Sequence, residues 1–186
     1  MKDYNKIFVY FICLSSAMGG LLFGYDWVVI GGAKPFYEVF FHITDSPSMQ
    51  GLAMSVSLLG CLLGATMSGV LSDRFGRKLL LIIAAAIFLL SAYATGKAST
   101  FAYFLIARSF GGIGIGIASN LSPMYIAEVA PTHVRGKLVS LNQLTIVFGI
   151  LGAQIANWLI AKPVPTSFGP MEIFASWNGQ IGWRWM

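Results

Sequence analysis

One acid and one guanidinium stand inside the most apolar stretches of this chain: Asp26 within residues 7–32 and Arg108 within residues 102–122. A charge in hydrocarbon costs about 3 kcal/mol or more unless it finds a partner, so each marks a candidate functional site. Two opposite charges suggest a pair that a proton could break. Desolvation favours the neutral acid, whereas a neighbouring guanidinium favours the carboxylate, so pairing and proton occupancy would be linked. Two plainer readings remain open. Arg108 could snorkel to the outer interface, and Asp26 could cap a local helix break among Gly19, Gly20, Gly24, Gly31 and Gly32.

A second group of candidates carries amides. Gln143, Val147, Ile150, Gln154 and Asn157 recur at helical spacing and would share one face. Amides donate and accept hydrogen bonds without a counter-ion, which suits a neutral polyol. Interhelical bonding by Gln and Asn is the alternative. A third group occupies residues 69–78, where Asp73, Arg74, Arg77 and Lys78 crowd around Gly76 between two apolar runs. The bases alone would make this a cytoplasmic loop. Asp73 is extra, and at a helix end it could bond backbone N–H groups or a guanidinium.

The elements that must hold these groups are membrane helices. A chain of 186 residues that is 56% hydrophobic and 10% charged, with a mean hydropathy of +0.74, is far too apolar for a soluble domain. Apolar windows near the ~20 residues of a span occur at 7–32, 51–72, 79–96, 102–122 and 138–161. A sixth is expected to start near Trp183. The runs are continuously apolar rather than alternating, which predicts helices and not a barrel. The first is too long for a cleaved signal core and is read as a retained helix, with cleavage after the Ala17 region as the minor alternative.

Lys2, Lys6, Arg74, Arg77, Lys78, Arg135 and Lys137 mark one side as cytoplasmic, while Lys34, Lys97, Lys162 and Arg184 fall on the other. The N-terminus is therefore expected inside. The net charge of +5 is then a topology signal, and no nucleic-acid partner is implied. On this orientation Asp26 lies six residues before Gly32, and Arg108 six after Ala102, each about 9 Å below the outer surface. Helices one and four, each Gly-rich and each with one deep charge, also suggest three-plus-three inverted repeats. Cys13 and Cys61 fall within spans and are expected simply to pack. His42 and His133 are expected on opposite sides, and no metal-ligand spacing or catalytic grouping is present, so no enzyme, cofactor or metal is expected.

The string G-x-x-x-D-R-x-G-R-K over residues 69–78 resembles the cytoplasmic signature of the major facilitator superfamily. Phe110-Gly-Gly112-Ile-Gly-Ile-Gly116, Tyr125-Ile-Ala-Glu128 and Arg135-Gly136 resemble the signature of its sugar porter family. Physically, Gly112 and Gly116 form a small-xxx-small face for close helix approach. Pro123 is expected to break the helix near the cytosol, leaving Glu128 and Arg135 free to pair with Arg77 or Asp73.

The resemblance covers nearly the whole chain and is close to bacterial sugar:proton symporters. It implies an all-α membrane fold, the N-terminal half of a twelve-helix carrier, with the chain a fragment whose C-terminal half is its missing partner. It further implies an inner-membrane, multi-pass protein that carries a monosaccharide, pentose or hexose, with a proton by alternating access. Asp26 and Arg108 would be the proton-coupling pair. Phe23, Gln143, Ile146, Val147 and Ile150 would meet the sugar, and Asp73, Arg74, Arg77, Glu128 and Arg135 would form a cytoplasmic gate. Ile150 departs from the amide of xylose-carrying members and resembles the glucose facilitators. A non-transporting membrane sugar sensor or assembly subunit on the same half-fold is the rival reading.

Overall fold

The computed structural model describes residues 6–161 and 169–186; Lys2 and Lys162 lie outside them. Five long helices carry the fold: α1 (Lys6–Phe40), α2 (Pro47–Phe75), α3 (Arg77–Gly96), α4 (Phe101–Val129) and α5 (Arg135–Ala161). All five are long and apolar enough to cross a membrane. Two short helices, α6 (Pro170–Ala175) and α7 (Trp177–Gln180), and a 3-10 turn at Gly182–Trp185 follow. The expected start of a span near Trp183 is thus a tight turn, with Trp183 buried.

Helix α4 is the hub. Just over half of its central window, 56%, is buried, against 17–28% for the other four. Arg108 therefore sits on the most buried of the five long helices. The outward faces carry Leu62, Leu63, Leu89 and Leu90, as hydrocarbon contact requires.

The helices pair crosswise: α1 packs chiefly on α5 and α2 on α4, while α3 leans on α4 and α1 meets α4 at the centre. The first group of three thus interlocks with the second, the arrangement that inverted repeats produce. Missing side chains make this approach possible. On α2 and α4, Gly60, Gly64, Gly112 and Gly116 each place bare backbone where a Cβ would collide with Ser109, Ile113, Ser57 or Cys61 carbonyl oxygens respectively. On α1 and α5, Gly24 and Gly149 do the same against the carbonyls of Ile146 and Leu21.

Three boundaries differ from the sequence expectation. Helix α1 runs past Gly32 and through Pro35 to Phe40, because Phe36 and Tyr37 bury among Phe104 and Trp183. Lys34 and Glu38, 3.7 Å apart, are helical neighbours rather than loop residues. Asp26 is therefore fourteen residues, about 21 Å, from its helix end, whereas Arg108 is seven residues from Phe101. Equal depth measured from the helix ends does not hold.

Pro123 does not break α4. The helix continues to Val129 with Ser122 and Ile126 wholly buried on either side, and that packing outweighs the backbone bond lost at the proline. The loop over residues 69–78 shrinks to one residue, Gly76, whose φ of +85° turns α2 directly into α3. Glycine adopts that left-handed conformation without strain.

Candidate functional site

Asp26 and Arg108 meet. Arg108 Nη2 donates to Asp26 Oδ2 at 3.2 Å and Nη1 approaches Oδ1 at 3.4 Å, a two-pronged contact between α1 and α4. Arg108 is 7% exposed and Asp26 18%. The guanidinium does not snorkel: α4 is surrounded at this level, and Phe104, one turn outward, is sealed under Tyr37 with ring centroids 5.4 Å apart. The pair's surroundings are lopsided. On one side lies a cavity of about 460 Å³ bounded by α1, α3, α4 and Trp183–Met186, and on the other a shallow depression of about 20 Å³ toward α2, lined by Phe23, Trp27 and Cys61. Arg108 Nε is buried with no acceptor among the described residues. One donor of the guanidinium is thus left over.

The C-terminal end of α1 and the N-terminal end of α4 close over this pair with aromatic rings. Tyr37, Phe40, Phe41, Phe101, Phe104 and Trp183 are packed with centroids 5.1–6.4 Å apart. The Arg184 guanidinium lies 5.0 Å from the Phe40 ring centroid and donates to the Gly96 carbonyl at 3.2 Å. His42, at a positive φ of 55°, is exposed and stacks on Phe174. At the C-terminal end of α3 the Tyr93 side chain, by hydrogen bonding, pushes the Lys97 pKa above its ordinary value.

Where α2 turns into α3 and α4 ends, three of the five expected gate residues come together. Arg77 bonds Asp73 Oδ1 at 2.9 Å and Glu128 Oε1 at 3.0 Å, and also reaches the Ser72 carbonyl at 3.2 Å. One arginine therefore ties the last turns of α2 and α4. Arg74 turns aside to the Phe75 ring, 5.8 Å away. Among the described residues Arg135 pairs with neither acid; it opens α5 and is exposed.

The α5 residues divide. Gln143, Val147 and Gln154 are exposed, and Ile146 and Ile150 half-buried. The Ile146 carbonyl faces Gly24. Asn157 leaves the expected ligand face, since its Nδ2 donates to the Val28 carbonyl at 3.2 Å and joins α5 to α1.

A buried polar cluster lies beside Gln143 that spacing arguments passed over. The Ser122 hydroxyl is 2.6 Å from the Ser16 carbonyl and 2.8 Å from Asn142 Oδ1, and Thr145 donates to the Ala17 carbonyl at 2.7 Å. These bonds fasten α1, α4 and α5 together. The available signal was Asn142 and Thr145, three residues apart on the face opposed to the one that the amide pattern selected.

Residues 12–186 match the family of sugar (and other) transporters. The chain is 44% identical over 182 residues to a glucose transport protein of Synechocystis, covering 98% of this chain and 38% of that protein. It is 38% identical to the D-xylose-proton symporter of Escherichia coli K12, covering 99% of this chain and 40% of the relative. An arabinose-proton symporter of Bacillus subtilis is 40% identical over 185 residues. Among solved structures, the proton:xylose symporter XylE bound to 6-bromo-6-deoxy-D-glucose superposes with a TM-score of 0.85 at 38% identity, over 98% of this chain and 42% of XylE. The chain spans about two fifths of the length of the relatives it matches.

Proposed function

This chain belongs to the sugar transporter family, and on that premise we propose that it is the N-terminal helix bundle of a proton-coupled monosaccharide carrier. The observation that carries the reading is the Asp26–Arg108 pair, buried where α1 meets α4 and two-pronged in geometry. A passive pathway for a neutral sugar has no need of an ion pair at that depth. The xylose and arabinose relatives, both named as proton symporters, support the coupling.

Charged Asp26 holds Arg108 and so keeps α1 and α4 together. A proton on Oδ1 or Oδ2 removes the charge on the acid, weakens the contact, and lets the two helices separate. Each arrangement favours a different state of the carrier, so proton occupancy shifts the balance between them. Phe23, Gln143, Ile146, Val147 and Ile150 form this bundle's share of the sugar site, with Gln143 as the hydrogen-bonding group and the apolar four packing on the ring. Asp73, Arg77 and Glu128 close the inner face when the carrier opens outward, with Arg74 and Arg135 flanking them. The protein lies in the inner membrane with its N-terminus in the cytosol, as the basic residues beside α2, α3 and α5 suggest.

The decisive experiment replaces Asp26 by Asn in the longer carrier that this bundle would complete and measures uptake into cells or vesicles. Uphill accumulation driven by a proton gradient should vanish while sugar counterflow persists. Undiminished accumulation would refute the coupling role.

A further inference from the structure

We propose that Trp27 is a specificity-determining residue that stacks its indole on the ring of a pyranose; this deepens the carrier reading above and rests on it.

Trp27 is 55% exposed, although Val29, Ile30 and Ala33 just beyond it are buried. Its place on α1 says where that exposure points. The stripe Ile7, Phe11, Leu14 and Met18 is also exposed, and Ile7, Phe11 and Met18 line a groove against α3. Trp27 follows Met18 by nine residues, two and a half turns, and so lies on the opposite side of the helix. Its immediate neighbours define that side. Gly24 and the Val28 carbonyl touch α5. Phe23, Asp26 and Ile30 line the depression shared with α2. The indole therefore stands in the wedge between α2 and α5, turned away from α3.

The level is as telling as the direction. Tryptophans of membrane proteins gather at the two interfaces, where the ring is apolar and the N–H meets water. Trp27 stands immediately beside Asp26 and lines one depression with Arg108, which lies seven residues, about 10 Å, inside α4. A large amphipathic ring at that depth, lining one depression with Phe23, Asp26 and Arg108, has the chemistry of a ligand wall. Phe23 and Trp27, one turn apart, line the same depression. A pyranose offers the matching surface: an apolar face of axial C–H bonds for the ring plane and equatorial hydroxyls for the indole N–H. An acyclic polyol has no such rigid face.

The test measures D-glucose transport by the complete carrier with Trp27→Ala and Trp27→Phe. Loss of the indole should raise KM for the pyranose by about three- to tenfold, the range of an aromatic contact, with kcat and the proton-to-sugar ratio unchanged. Trp27→Phe should restore most of the affinity. Inhibition by an acyclic alditol should be alike in all three proteins. An unchanged KM in Trp27→Ala overturns the proposal, and so does a loss of thermal stability with KM unaltered, which would assign the indole to helix packing. No sugar flux in the unsubstituted carrier would remove the carrier reading and this inference together. Flux with an indifferent Trp27 would remove only the inference.

Discussion

Two ion-pair sites on this bundle use the same side-chain chemistry in opposite surroundings. Asp26–Arg108 is 18% and 7% exposed at 3.2 Å, while Arg77 with Asp73 and Glu128 is 29%, 74% and 45% exposed at 2.9–3.0 Å. The wetter contacts are the shorter ones. Length therefore does not rank them; water does. At the surface, solvation and salt compete for each charge, so a tight contact contributes at most about 1 kcal/mol. In the interior nothing replaces a lost partner, and removing one member strands the other at a cost of about 3–5 kcal/mol. Losing one member is therefore costly at the buried pair, whereas the Arg77 cluster can open and close at little cost.

Substitutions can break or sharpen that contrast. The largest effect should follow Arg108→Met, which leaves Asp26 alone: stability in detergent should fall by about 3–5 kcal/mol, and the double variant with Asp26→Asn should recover a large part of the loss. Equal losses in the single and double variants would mean that the two groups are not energetically coupled. Next comes Gly112→Val, which forces a side chain into the Ser57 carbonyl across the α2–α4 contact. About 1–3 kcal/mol of destabilisation is expected there, and almost none for Gly152→Ala, where the added methyl meets open space. Thermal melting of the two variants side by side checks it. The smallest effect belongs to Arg77→Ala, with a stability change of about 1 kcal/mol or less that shrinks further in 1 M salt. A salt-independent loss of several kcal/mol would show that the Arg77 cluster is as dry as the Asp26–Arg108 pair.

Charge against an apolar background is conspicuous, which is why Asp26 and Arg108 could be paired from the chain alone. The reason offered for their meeting was nonetheless wrong in its ruler, because α1 overshoots α4. Lys34, Pro35 and Glu38 resemble loop residues, and only Phe36 and Tyr37 packing on Phe104 carries the helix through them. Pro123 is the same case, since the fully buried Ser122 and Ile126 that flank it within the continuous helix have no local signature. The interior side of α5 was equally opaque. Periodicity identified a face of amides, yet it could not tell that Asn142 ties three helices together while Gln143 beside it stays exposed. Partners more than a hundred residues apart, such as Ser16 and Ser122, leave no mark on either neighbourhood.

The crosswise pairing of α1 with α5 and α2 with α4 has a consequence for biogenesis. Asp26 leaves the ribosome 82 residues ahead of Arg108, and the Ala17 carbonyl waits 128 residues for the Thr145 hydroxyl. The earliest spans therefore meet their principal partners only after the later ones have been made. Premature release into lipid would leave the first three helices without their principal partners.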